Sequence, residues 1–131
     1  MIRLRSLAVV AVVALAGCSV APTPAQLATA DYGPRPDDPK AIFSDWAQDN
    51  LYDPHSVQDL EISLERGYWT PGMADGGGPT VFGWMLHASF NAKNRMGGYA
   101  GRQTVHILER DGHVVQAMTE QQLAVRKQYP W

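Results

Sequence analysis

The chain has 131 residues, with 11 Lys and Arg against 13 Asp and Glu and a net charge of −2. That length supports one domain with a single modest core, and the acidic balance excludes a nucleic-acid binder, which needs a basic face for phosphates. One cysteine excludes an internal disulfide, so stability has to come from packing.

At the start, Arg3 and Arg5 precede an apolar run from Leu7 to Leu15, followed by Ala16, Gly17 and Cys18. Positive charge, a short apolar stretch and small residues make a secretory signal. The run is too short for a permanent membrane helix, which takes about 20 residues. The order Leu15-Ala16-Gly17-Cys18 resembles the lipobox of bacterial lipoproteins. The resemblance implies cleavage before Cys18, diacylglycerol on its sulfur and acylation of the new amine. Each buried methylene contributes about 0.8 kcal/mol and a single chain anchors only marginally, so a triacylated cysteine would supply a firm hold. Ser19 stands where an aspartate would favour inner-membrane retention in such lipoproteins. The expected address is therefore the outer membrane, on its periplasmic face.

Residues 19–36 are rich in Ala, Pro and Thr, with Pro22, Pro24, Pro34 and Pro36. The composition predicts an extended tether reaching roughly 50 Å, at about 3.1 Å per residue. The domain expectation is thus 1–17 as signal peptide, 18–36 as lipidated Cys18 and tether, and 37–131 as one globular unit.

Asp38 is a suitable N-cap and Pro39 suits the first helical position. Ile42, Phe43, Trp46, Ala47 and Leu51 then recur at helical spacing, and Asp53-Pro54 ends the helix. Leu60, Ile62 and Leu64 alternate with Asp59, Glu61, Ser63 and Glu65, which predicts a half-buried strand with an acidic outer face. Tyr68 to Thr80, with Pro71-Gly72 and Gly76-Gly77-Gly78-Pro79, reads as a mobile loop.

Phe82, Trp84, Leu86, Ala88 and Phe90 alternate through the next strand and are expected to face the helix. A polar, glycine-rich connection follows from Asn91 to Gly101. Residues 102–110 and 113–118 form a hairpin about Asp111-Gly112, a favoured two-residue turn. In that hairpin Arg110 should oppose His113 and Leu108 oppose Val115. Val105/Ile107 and His106/Leu108 compete for its buried face. Thr119 and Gln122 fit a capping box, so a short last helix is expected near 120–128. The predicted class is α+β: an amphipathic helix packed on an antiparallel sheet of about four strands, with a short C-terminal helix.

Asn91-Ala92-Lys93-Asn94, then Gly97-Gly98-Tyr99 and Gly101, resembles a motif of small bacterial lipoproteins, in which the run follows a strand and precedes an Asp-Gly hairpin. Those proteins also carry a Leu-x-Asp-Pro-x-Ser step, matched here by Leu51, Asp53, Pro54 and Ser56. The resemblance spans about residues 40–118. It implies fold and compartment and brings no activity, so it transfers no functional residue.

The loop offers the best candidate binding site: Asn91, Lys93, Asn94, Arg95, Gly97, Gly98, Tyr99, Gly101 and Arg102. Its glycines expose backbone N–H groups, its cations add charge and Tyr99 adds a flat face, a set suited to an anion, a peptide carboxylate or a sugar polymer. The competing reading is structural, with the glycines turning the chain while Asn91 and Asn94 satisfy backbone groups. No Gly-Lys-Ser/Thr follows, so this is not a phosphate loop. Tyr68 and Trp69 are a second candidate contact, or else a cover for the core edge.

His55, His87, His106 and His113 show no metal-ligand spacing, and no metal or cofactor is expected. Asp53, His55 and Ser56 are hydrolase residue types crowded into one turn, whereas triads assemble from distant segments. No catalytic residue is assigned. Ten of the 13 acids fall in residues 31–75, while most bases follow residue 91, so one half is expected to complement the other within a single fold. The functional expectation is a non-enzymatic interaction module held to the membrane through Cys18, whose partner is an envelope protein or the cell wall. The alternatives are a small envelope hydrolase or metal-dependent enzyme, and a structural lipoprotein with no discrete site.

Overall fold

A computed structural model describes residues 21–128. Residues 1–20, on which the expected signal peptide and lipidated Cys18 fall, lie outside the described residues, as do residues 129–131. Three α-helices and four strands form an α+β fold: α1 (Pro24–Thr29), α2 (Pro39–Asn50), β1 (Gln58–Trp69), β2 (Val81–Asn91), β3 (Gln103–Arg110), β4 (His113–Thr119) and α3 (Glu120–Gln128). The strands form one antiparallel meander in the order β1-β2-β3-β4. Among the described residues no helix is long and apolar enough to cross a membrane.

Helix α2 begins where the sequence places it. The Asp38 carboxylate accepts from the N–H groups of Lys40 and Ala41 at 3.0 and 3.1 Å, satisfying donors that the first turn leaves free. Phe43 and Ala47 are buried, and Ile42, Trp46 and Leu51 flank them against Leu86, Ala88, Phe90, Val105 and Ile107. The Phe43 and Phe90 rings stand 5.0 Å apart and tilted, a favourable aromatic geometry. Of the five alternating residues in β2, Leu86, Ala88 and Phe90 face α2 at the core, while Phe82 and Trp84 instead meet the N-terminal segment at Tyr32 and Gly33.

Strand β1 is longer than the alternation predicts. Its last four residues pair with the start of β2, Arg66 with Trp84 through Trp69 with Val81. Tyr68 and Trp69 thus belong to a strand, and the loop shrinks to 70–80. Arg66-Gly67 breaks the apolar alternation and hides the continuation. Gly67 is nonetheless fitted to its place, because a Cβ there would lie 2.6 Å from the Met85 Cβ. The competition within the hairpin also has a physical answer: both faces of β3 are covered. Val105 and Ile107 meet the core under α2, while Leu108 is buried on the opposite face.

Asp111 and Gly112 both have positive φ, 54° and 83°, as a tight hairpin turn of this kind requires. Arg110 opposes His113 as expected, but Leu108 opposes Gln116, not Val115. A β-bulge between Leu108 and Glu109 shifts the register, since a bulge sets an extra residue against one partner. Thr119 and Gln122 form the expected box: Thr119 Oγ1 accepts from the Gln122 N–H at 3.3 Å and Gln122 Oε1 accepts from the Thr119 N–H at 2.9 Å.

The tether expectation fails over its second half. Pro24–Thr29 is helical, begun by a reciprocal cap between Thr23 and Gln26. Tyr32 is buried, its hydroxyl donating to Leu27 O at 2.7 Å and its ring standing edge-on to Phe82. Gly33 O accepts from the Trp84 indole at 3.1 Å. Asp31 pairs with Arg110 at 2.9 Å. One aromatic anchor and several polar contacts thus dock this strap, overriding its proline-rich composition.

Candidate functional site

The glycine-rich loop lies at one end of the sheet, between β2 and β3. Lys93 and Tyr99 make an isolated antiparallel bridge, so the loop is a small hairpin in its own right. Asn94 organises its tip: the side-chain Oδ1 accepts from Met96 N at 2.9 Å and from Gly98 N at 3.3 Å. The Asn94 carbonyl accepts from Gly97 N, and the Asn94 N–H donates to Gly98 O. Asn91 Oδ1 accepts from Gly101 N at 3.1 Å, and Ala100 N donates to Ala92 O. The Ser56 hydroxyl accepts from Lys93 N at 2.8 Å. Gly97 and Gly101 have positive φ, 78° and 92°, where a side chain would be strained.

These bonds decide between the two readings of the loop. The N–H groups of Met96, Gly97, Gly98, Ala100 and Gly101 are engaged within the loop, so they form no cradle for an anion. Asn91, Asn94 and the glycines are therefore structural. The surface left over is made of side chains. Arg95 is exposed, Met96 is 94% exposed, and the Lys93 ammonium lies 5.7 Å from the centroid of the half-exposed Tyr99 ring. Arg102 does not join them: it turns to the β1–β2 face, pairing with Glu61 and donating to Ser89 Oγ at 2.7 Å. Sequence reasoning missed Met96, although a lone methionine inside a polar, glycine-rich run is a visible signal.

Tyr68 and Trp69 are adjacent on a strand and so project from opposite faces, which corrects their reading as one contact patch. Tyr68 packs beside Phe82, and Trp69 is covered by the Arg126 guanidinium 4.1 Å above its centroid. Arg126 also pairs with Asp75, tying α3 to the loop after β1. That bond, with a smaller contribution from Gly72 N–H, holds the Asp75 carboxyl below its ordinary value. Asp31 is likewise held low, first by the Gly33 N–H and then by Arg110. Both pairs, and Glu61–Arg102, join an acid of the first half to a base of the second.

At the Asp53–Ser56 turn, the Ser56 hydroxyl donates to Asp53 O at 2.7 Å while accepting from Lys93 N. It is a bracket under the loop, with no histidine arranged to activate it. His113 sits exposed at the hairpin end. His106 faces His87 directly across β2 and β3. Their Nδ1 atoms are 2.5 Å apart, and each Nε2 meets a carboxylate: Glu65 at 2.7 Å from His87 and Glu120 at 3.2 Å from His106. Among the described residues no group of three or more His, Cys, Asp and Glu side chains is arranged to hold a metal ion.

No protein family, curated protein or solved structure was found to match this chain.

Proposed function

We propose that this protein is a lipid-anchored, non-enzymatic interaction module of the bacterial outer membrane, facing the periplasm, with the 91–102 loop as its contact tip. One observation carries the reading. The N-terminal strap docks at the Phe82–Trp84 end of β2, through Tyr32, Gly33 and the Asp31–Arg110 pair, while the loop begins at Asn91, the other end of the same strand. Ten residue steps at about 3.3 Å each separate those ends by roughly 33 Å. A chain anchored at Cys18 and docked through this strap would carry the loop away from the attachment point.

The tip has the character of a contact surface. Arg95 and Lys93 supply positive charge, Tyr99 a flat ring, and Met96 a flexible apolar side chain of the kind found at adaptable binding surfaces. The hydrogen-bonded frame beneath presents these groups at low entropic cost. Such a surface suits an envelope protein or cell-wall polymer that offers carboxylates beside an apolar or planar face. The acidic chain as a whole does not suit nucleic acid.

Two measurements test this. Intact-mass analysis of the native product should show loss of the first seventeen residues and a lipidated Cys18. A photo-crosslinker placed at Met96 should then capture one partner reproducibly from native envelopes, while the same probe at exposed Tyr52 captures none. Equal, scattered capture from both positions would refute the contact-tip assignment; an unprocessed chain or a bare thiol would refute the anchor.

A further inference from the structure

We propose that the outer edge of β4 is a strand-acceptor site, which takes up an extended segment of a partner protein carrying basic side chains on one face and apolar side chains on the other.

The two edges of the sheet differ. Strand β1 is guarded along its length by Asp59, Glu61 and Glu65, and its pairing with β2 is irregular between Gln58 and Glu61, where Asp59 has a φ of 53°. Charges and bulges are the usual means by which an exposed edge avoids pairing. Strand β4 contains no Asp, Glu, Lys, Arg or Pro. A bulge leaves Val115 without a partner in β3, but Gln116 to Thr119 run in unbroken register with Leu108 to Val105. Strand β4 pairs with β3 alone, so every second N–H and C=O of this stretch points outward.

The space beside that stretch is shaped for a strand. A hollow of about 480 Å³ lies on the α3 side of β4 and one of about 450 Å³ on the α2 side. Both are bordered by Ala117, Met118 and Gln122, so they meet around the edge. A strand added there would place its alternate side chains in the two hollows. On the α3 side they would meet Met118, Val125 and Ala74, and the charges there, Asp75 and Arg126, already pair with each other. On the α2 side they would meet Trp46, Asp45 and Asp49.

Those two acids select the occupant. They are exposed, one helical turn apart, and among the described residues neither belongs to an ion pair. Like charges at that spacing repel. They also sit toward the negative end of α2, whose last turn has no base. The helix gains nothing from them, whereas a lysine or arginine of an added strand could lay its stem on Trp46 and reach both carboxylates. A second copy of this chain does not fit, because its own β4 offers no Lys or Arg. The site is separate from the 91–102 loop and does not rest on that reading.

The probe is a fluorescein-labelled, end-blocked peptide of seven residues alternating lysine and valine, equal in length to β4. Fluorescence anisotropy with the full chain in uncharged detergent should show saturable binding of one peptide per chain. Glutamate in place of lysine should abolish it. D45N/D49N should weaken it about three- to tenfold, the effect of losing two exposed charge pairs. Of two peptides N-methylated at alternate residues, one should lose binding and the other keep it, because a strand donates to its neighbour from every second residue. Hydrogen exchange should slow at alternate amides from Gln116 to Thr119 when the peptide binds. Absence of saturable binding, equal binding of both methylated peptides, or slowed exchange only in the 91–102 loop would overturn the proposal. So would β4 amides already protected by self-association of the peptide-free chain.

Discussion

Replacing Tyr32 by alanine asks whether the strap is part of the fold. Tyr32 is 8% exposed, meets Phe82 edge-on at 5.7 Å, and lies under the Arg66 guanidinium 5.2 Å from its centroid. Truncation removes on the order of 120 Å² of buried apolar surface, about 3 kcal/mol at 25 cal/mol per Å². The lost Leu27 hydrogen bond adds about 1 kcal/mol. The total has a ceiling, because a strap without its anchor can detach and leave the sheet folded beneath α2. The expected loss is therefore about 2–3 kcal/mol, which lowers the melting temperature by roughly 10 °C or more for a domain of this size. Tyr32→Phe keeps the ring and should lose only about 1 kcal/mol. Urea unfolding of the purified chain gives the midpoints, and limited proteolysis reports whether residues 21–37 become newly cleavable in Y32A. A midpoint equivalent to less than about 0.5 kcal/mol of change, with no new cleavage, would mean that the segment is a free leash after all.

Acid behaviour follows from Asp31 and Asp75, whose carboxyls are held below the ordinary 3.8. A depressed folded-state value gives stability that is complete above the unfolded value and lost as pH falls through the folded one. Unfolding midpoints should thus decline modestly as pH falls below about 4, and D31N and D75N should each reduce that decline; a D31N/D75N double variant that parallels wild type would contradict the assignment. Asn94→Ala removes the acceptor for two loop N–H groups, at a cost of about 1 kcal/mol because the site is exposed. Its main effect should be local, with faster hydrogen exchange at Met96 and Gly98 and weaker capture from the Met96 crosslinker. Unchanged exchange at those two amides would show that Asn94 does not frame the loop.

The features legible in the sequence were those that a few neighbouring residues determine. Asp38-Pro39 specifies a helix start by local hydrogen bonding, Asp111-Gly112 specifies a turn by its allowed dihedrals, and Phe82 to Phe90 specifies a buried face by its period. The features that escaped depend on distant partners. The bulge at Leu108–Glu109 has no local marker. The continuation of β1 through Arg66-Gly67 makes sense only once Gly83 lies opposite Gly67 and the Met85 side chain crowds the Gly67 backbone. Tyr32 looked like one aromatic in a tether until Phe82 supplied its wall. The His87–His106 pair depends on the register of β2 against β3, and an eleven-residue connection between them leaves that register unspecified by turn geometry.

The uneven charge distribution acquires a specific meaning in the fold. The pairs Asp31–Arg110, Glu61–Arg102 and Asp75–Arg126 bind the strap, the edge strand and the loop after β1 to later elements of the chain. None lies in the core, where Phe43, Leu86, Phe90 and Ile107 exclude water. Exposed pairs of this kind contribute little energy each, so they do not replace the absent disulfide as a source of stability. Their effect is positional: hydrophobic burial holds α2 on the sheet, and opposite charges select where the peripheral segments settle. The strap is the segment for which that selection has the largest consequence under the proposed function, because with a lipid anchor at Cys18 its docking point would decide which end of β2 is nearest the anchor and hence which loop is presented outward.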